Sequence, residues 1–203
     1  MVVVLVSGRG SNLQALLEAG VPISGVVSNR ADAAALGIAA AHRVPTRVVE
    51  HARFASREAF DAALAAGIDA FSPRLVALAG FMRVLTPQFV ARYGGRLFNI
   101  HPSLLPAFPG LDTHERALAA GVKVHGCTVH LVTAALDQGP IVIQAVVPVK
   151  PHDTAQTLAA RVLRQEHVIY PRAVRWFLEG RLVIEEGRVR VKGDDAQLVI
   201  SAD

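Results

Sequence analysis

A doubly wound, mostly parallel α/β sheet is the fold class this sequence predicts, and three observations predict it. Short apolar runs rich in β-branched residues recur along the chain, beginning with Val2 to Val6. Segments with helical spacing separate them. Glycine- and proline-rich joins follow several of the runs, where sheets of this class present their ligands.

Val2 to Val6 is an unbroken apolar run and predicts a fully buried strand. Ser7-Gly8-Arg9-Gly10-Ser11-Asn12 follows, with Leu13, Leu16 and Leu17 at helical spacing beyond it. Ile23 to Val27 is a second strand, and Asn29 to Asp32 predicts a loop and cap before an Ala-rich helix ending about His42. Thr46 to Val49 is a third strand, and Ser56 to Ala66 a helix. Leu75 to Ala79 is a fourth strand. Thr86-Pro87 caps and starts the next helix, because Pro at a first helical position sacrifices no needed donor. Leu97 to Ile100 is the fifth strand. Thr113 to Ala120 predicts a helix. Val122 to Val132 and Ile141 to Val149 predict an antiparallel pair joined by a longer loop. A long helix from about Asp153 to Glu179 carries Pro171, a site for a bend. Arg181 to Val191 predicts a small terminal hairpin turning at Glu186-Gly187.

The 203 residues predict one domain, 1–203, with a substantial core: 52% of them are hydrophobic and 19% charged. Cys127 stands alone, which excludes an intramolecular disulfide framework and a cysteine-built zinc site. A reducing cytoplasm is the compartment that fits. The apolar start meets Ser-Gly-Arg-Gly at once, so neither a signal segment nor a membrane span is expected there. Net charge is +4, yet the basic residues are scattered and aromatics are only 5%, so no stripe or stacking platform for nucleic acid emerges. The same modest positive field suits anionic small molecules.

The chain's chemistry centres on Asn99-Ile-His-Pro-Ser-Leu-Leu-Pro-Ala-Phe-Pro-Gly110. Side chains alternate along a strand, so Asn99 and His101 project from one face. Pro102 then denies the ladder a donor, and Pro106 and Pro109 keep the following loop irregular. An amide that can stabilise an oxygen gaining negative charge thus stands beside an imidazole that can hold a proton near neutral pH. The first turn offers a second kind of site, since free N–H groups at a helix start attract anions, phosphate above all. No Gly-Lys-Ser/Thr follows, so it is not a P-loop. Leu13 occupies the place of the dinucleotide fingerprint's third glycine.

Three further groups stand out. Glu166 lies on the apolar stripe of the long helix, where a carboxylate is costly unless paired, by an Arg or by a ligand's amine or hydroxyls. Asp137, between Leu136 and Gly139-Pro140, sits in a turn able to press its carboxylate inward, where it would orient an imidazole and favour its charged form. His125 and His130 are five apart on a strand and so face opposite ways, which argues against a shared metal ion, although His130 still fits a pocket wall.

Together Ser7-Gly-x-Gly-Ser-Asn-Leu13, Ala79-Gly-Phe-Met-Arg83, Asn99 to Pro106, Phe108-Pro-Gly-Leu111, His125-Gly126, Val129-His130, Leu136-Asp137-x-Gly-Pro140 and Gln165-Glu-His167 resemble the phosphoribosylglycinamide formyltransferase family in order and spacing over nearly the whole chain. The resemblance implies the formyltransferase variant of the doubly wound sheet. It implies a phosphoribosyl-substrate half of about 1–97 and a catalytic and folate half of about 98–203. The implied reaction moves a formyl group from 10-formyltetrahydrofolate, as formyl-donor cosubstrate, to the amine of phosphoribosylglycinamide, with no metal and no ATP. By position, Asn99, His101 and Asp137 match the family's catalytic trio. Gly10, Ser11 and Asn12 match its phosphate-binding turn, and Glu166 the acid that holds the glycinamide substrate. Arg57, Met82, Arg83, Val84, Leu85, Asn99 and Leu136 match folate contacts. Leu163 and Arg74 depart from the family pattern, at peripheral positions.

The resemblance further implies small-molecule partners, no nucleic acid, no membrane, and a monomer or homodimer. Relatives that share the core but act on tRNA or hydrolyse formyl-folate carry additional domains, and none is expected here. A non-catalytic binding module would be expected to lack one of the trio. A dehydrogenase would need an acid for the ribose where Ser28-Asn29-Arg30 stands.

Overall fold

Five residues with wholly apolar side chains, Val2–Val6, form strand β1, and all five are completely buried. A strand covered on both faces has no use for alternation, which is why the run is unbroken. The structure is a computed structural model that describes residues 1–201. The chain divides into two compact units, the first Met1–Asn99 and the second beginning at Ile100.

The first unit continues from β1 through α1 (Ser11–Glu18), β2 (Ile23–Ser28), α2 (Ala34–Ala41), β3 (Thr46–Val48), a 3-10 turn over His51–Arg53, α3 (Arg57–Asp69), β4 (Leu75–Leu78) and α4 (Pro87–Arg92) to strand β5 (Leu97–His101). Its strands lie in the order β5-β4-β1-β2-β3, and every neighbouring pair is parallel. Strand order therefore reverses between β1 and β4, whose carboxyl ends carry the Ser7–Gly10 turn and the segment after Ala79. Open α/β sheets bind their ligands at such a switch point.

Local chemistry sets the helix boundaries. Thr86 caps α4 as expected, its Oγ1 accepting the Phe89 N–H at 3.2 Å, with Pro87 at the first turn. The Thr86 N–H in turn donates to buried Asp61 Oδ2 at 2.7 Å. Ser56 caps α3 through the Ala59 N–H, and the helix runs on to Asp69 instead of stopping at Ala66, because Leu64 and Ile68 bury its inner face. The cap expected at Asn29 to Asp32 does not form. Asp32 is drawn to Arg30, whose Nη2 lies 2.7 Å away, and Ala33 stands at the N-cap of α2 without a side-chain bond.

The second unit holds the end of β5, then α5 (Thr113–Ala119), β6 (Val124–Leu131), β7 (Ile141–Pro148), α6 (Ala155–Leu178), β8 (Leu182–Glu185), β9 (Arg188–Val191) and β10 (Leu198–Ile200). β6 and β7 pair antiparallel, with a register irregularity between Val129 and His130. β8 and β9 form the expected hairpin as a separate two-stranded sheet. β10 is an unexpected strand, parallel to β7 through Gln144, Ala145 and Val146. The Gln197 amide fixes it by donating to Val142 O at 2.7 Å and Val189 O at 3.0 Å. α6 begins at a capping box between Thr154 and Thr157 and passes through Pro171 without interruption. Its buried stripe of Leu158, Val162, Ile169, Ala173 and Val174 packs on β6 and β7. No described helix is long and apolar enough to cross a membrane.

Candidate active site

β5 ends at His101 because Pro102 cannot continue the ladder. The His101 side chain is buried, and both ring nitrogens face oxygens. Nε2 lies 3.1 Å from the Phe108 carbonyl, and Nδ1 lies 3.5 Å from Asp137 Oδ2. A carbonyl and a carboxylate only accept, so each ring nitrogen of His101 faces a hydrogen-bond acceptor. Asn99, two residues earlier, projects from the same face of the strand.

The Asp137 side chain is only 8% exposed although it sits in a loop. Its backbone is left-handed, at φ 53°, a conformation Asp tolerates better than most residues. Gly139 makes the inward turn possible, since a Cβ there would lie 1.7 Å from the Leu131 carbonyl oxygen. Asp137 Oδ2 also accepts the Gly110 N–H at 2.8 Å, which binds this loop to the one that follows His101. Asp137 Oδ1 lies 3.8 Å from His130 Nε2. His130 Nδ1 donates to the Leu131 carbonyl at 2.9 Å. Burial is the main force holding His130 below the usual imidazole range. His130 thus faces one oxygen of the Asp137 carboxylate and His101 the other.

Two more imidazoles stand close by. His125 meets His114 edge to face at 5.3 Å between ring centres, and Phe108 at 5.9 Å. Burial, helped by His114 and His101, pushes His125 down to about 4 against the pull of the Pro102 carbonyl. Burial likewise lowers His114. His125 and His130 both lie on β6, and His101 contributes to the lowering of each.

Glu166 is buried in the inner stripe of α6, where its carboxylate helps burial raise the Cys127 thiol well above its ordinary range. In the first unit, Gly10 has φ 83° and caps α1 without a side-chain bond, leaving Ser11 and Asn12 to open the helix. A Cβ at Gly10 would lie 2.6 Å from Ala35 Cβ, so glycine is required there on two counts. The Ala35 N–H donates to Gly8 O at 3.0 Å and holds the turn against α2. Arg57 is exposed at the start of α3. Met82 and Val84 are exposed apolar side chains with exposed Arg83 between them, Leu85 is half-buried, and Leu136 is exposed beside Asp137.

Coordinates thus bring His101, Asp137 and His130 together, and place Asn99 on the strand that delivers His101. Sequence reasoning gave no role to Phe108 and Gly110, whose backbone groups bond to His101 and Asp137. The available signal was the Phe-Pro-Gly run, where Phe108, Gly110 and Asp112 all adopt positive φ. It also missed Ser7, whose buried hydroxyl accepts the Met82 N–H at 2.8 Å and donates to Asn29 Oδ1 at 2.6 Å.

A strand end carrying an amide and a carboxylate-paired imidazole can stabilise a developing oxyanion and hold a proton, the two capacities an acyl transfer uses. The chain belongs to the formyl transferase family, which matches residues 1–174, and within it to the phosphoribosylglycinamide formyltransferases. It is 48% identical over 198 residues to phosphoribosylglycinamide formyltransferase of Escherichia coli K12, a match covering 95% of this chain and 93% of that protein. It is 45% identical over 195 residues to the human trifunctional purine biosynthetic protein adenosine-3, covering 93% of this chain and 19% of that longer protein. The structure of phosphoribosylglycinamide formyltransferase from Coxiella burnetii superposes with a TM-score of 0.92 at 46% identity, covering 98% of this chain and 97% of that one. The mostly parallel α/β architecture, with its C-terminal antiparallel pair, is the formyltransferase fold.

Proposed function

We propose that the protein transfers the formyl group of 10-formyltetrahydrofolate to the amine of 5-phosphoribosylglycinamide in de novo purine synthesis, releasing the N-formyl product and tetrahydrofolate. The observation that carries this reading is the His101–Asp137 pair at the end of β5, in a chain of this family. The neutral amine attacks the formyl carbon and gives a tetrahedral intermediate with an oxyanion and a developing ammonium. Asn99 donates to that oxygen, and His101 joins it through Nε2 as the oxyanion replaces the Phe108 carbonyl; one such donor is typically worth roughly 3–4 kcal/mol. Asp137 holds the imidazole in orientation and stabilises its charged form. The amine's proton passes, with His101 or a water as carrier, to the folate nitrogen as the C–N bond to it breaks. The formyl donor is already activated, so the step calls for neither ATP nor a metal ion.

In the same reading Gly10, Ser11 and Asn12 take the substrate phosphate at the start of α1. Glu166 takes the glycinamide amine or ribose hydroxyls. Arg57, the Met82 to Leu85 segment, Asn99 and Leu136 contact the folate, the arginine suiting its carboxylates. The partners are small molecules, the compartment the cytoplasm, and the working form a monomer or homodimer.

Absorbance-monitored consumption of formyl-folate, with and without the glycinamide substrate, tests the proposal. Turnover that requires the amine is the expected result. Consumption in its absence would make the protein a hydrolase, and no consumption in either case would make it a binding module.

A further inference from the structure

The segment between β4 and α4 forms neither helix nor strand, yet it carries four of the residues assigned above to the folate. Three hydrogen bonds pin it. At its start the Ala79 N–H donates to Leu5 O at 2.9 Å, and at its end the Thr86 N–H donates to Asp61 Oδ2 at 2.7 Å. The pin in the middle is Met82 N–H to Ser7 Oγ at 2.8 Å. The outer two belong to scaffold strands and helices. The central one reaches across from the carboxyl end of β1 to the neighbouring strand's exit.

A hydroxyl has a single proton. Since Ser7 Oγ accepts from Met82, its own O–H needs an acceptor, and Asn29 Oδ1 at 2.6 Å supplies it from the end of β2. That bond fixes which end of the Asn29 amide faces Ser7, and the Nδ2 end lies 3.3 Å from His51 Nδ1. Ser7 and Asn29 are both buried, so the polar chain is shielded from water that would compete for it. The outward side of the pinned backbone presents Met82 and Val84, 69% and 58% exposed.

We infer that Ser7, aligned by Asn29, is a positioning residue for the formyl donor: it sets the backbone of the Met82 to Leu85 segment in the register that receives folate. The inference rests on the folate role proposed above for that segment. Both side chains are buried and act through the Met82 N–H, so the effect falls on affinity for the substrate that this segment receives.

Steady-state kinetics of the full chain test it. Ser7→Ala is expected to raise KM for formyl-folate about three- to tenfold, the worth of one hydrogen bond, with kcat and KM for the phosphoribosyl substrate changed less than twofold. Ser7→Thr, which keeps the hydroxyl, is expected to restore the wild-type KM. Asn29→Ala is expected to reproduce Ser7→Ala, and the double variant to be no worse than either single one, because both remove the same restraint. Hydrogen exchange at the Met82 amide should quicken in Ser7→Ala. An unchanged folate KM in Ser7→Ala, or an equal rise in both KM values, would overturn the inference. Arg83→Ala is the control for the underlying reading. If it leaves the folate KM unchanged, the folate assignment of the segment fails and takes the Ser7 inference with it. If Arg83→Ala raises that KM while Ser7→Ala does not, only the positioning role is wrong.

Discussion

Asp137 Oδ2 lies 3.5 Å from His101 Nδ1 while accepting the Gly110 N–H at 2.8 Å. One carboxylate oxygen thereby orients the imidazole and ties down the loop that follows it. Asp137→Asn tests the electrostatic half of this role. The amide oxygen can still accept from Gly110, but the −NH2 group and the lost charge no longer stabilise an imidazolium. We expect kcat for formyl transfer to fall about a hundredfold or more, with both KM values within a fewfold of wild type. Steady-state absorbance kinetics measure this, and a kcat near wild type would remove Asp137 from the mechanism.

The first turn has no room for a side chain at Gly10. An added Cβ meets Ala35 Cβ at 2.6 Å and Ala35 Cα at 2.8 Å, on a backbone of φ 83°. Gly10→Ala is expected to destabilise the fold by about 2 kcal/mol and to weaken binding of the phosphorylated substrate at least tenfold. Urea denaturation and calorimetric titration with the phosphoribosyl substrate report the two effects separately. An unphosphorylated analogue should bind wild type and variant alike.

Asp61 is buried and holds the N–H of the residue that caps α4. Asp61→Ala leaves that donor without its partner, at an expected cost of about 1–3 kcal/mol. Asp61→Asn keeps an acceptor and should cost less. Equal losses from the two substitutions, measured by urea denaturation, would mean that the hydrogen bond contributes little.

His125 predicts a pH dependence of stability. Its ordinary value of 6.5 falls to about 4 in the folded protein, chiefly through burial. Between those values the unfolded chain binds a proton that the folded one refuses. Stability from this group is therefore complete above pH 6.5 and is lost as pH falls toward 4, by about 3 kcal/mol over the range. His114 and His130 are lowered too and act in the same direction. Denaturation curves from pH 7.5 to 4.5 should be flatter for His125→Gln than for wild type. Parallel curves would contradict the assigned burial.

Much of the sheet was legible because its strands are unbroken apolar runs between turn residues, as Val2 to Val6 and Leu75 to Leu78 are. β10 was not, since three residues of which Leu198 and Ile200 are exposed carry no periodic signal. Its position depends on the Gln197 amide, a long-range contact that no local pattern encodes. The cap of α2 was misread because Asp32 has a rival partner in Arg30, and propensity does not record such competition. At the site, the inward turn of Asp137 was readable from Gly139-Pro140. The neighbourhood of His125 was not, because His114 and Phe108 reach it from other segments of the chain, contacts that no local pattern encodes.

The central claim is that the imidazole at the end of β5 does the chemistry and leaves substrate binding to other residues. His101→Ala, assayed for formyl transfer alongside calorimetric titration with the phosphoribosyl substrate, addresses it in one comparison. The expected result is a kcat reduced by about a hundred- to ten-thousandfold with the dissociation constant changed less than threefold. A kcat near wild type, or a loss of activity matched by an equal loss of binding, would contradict it.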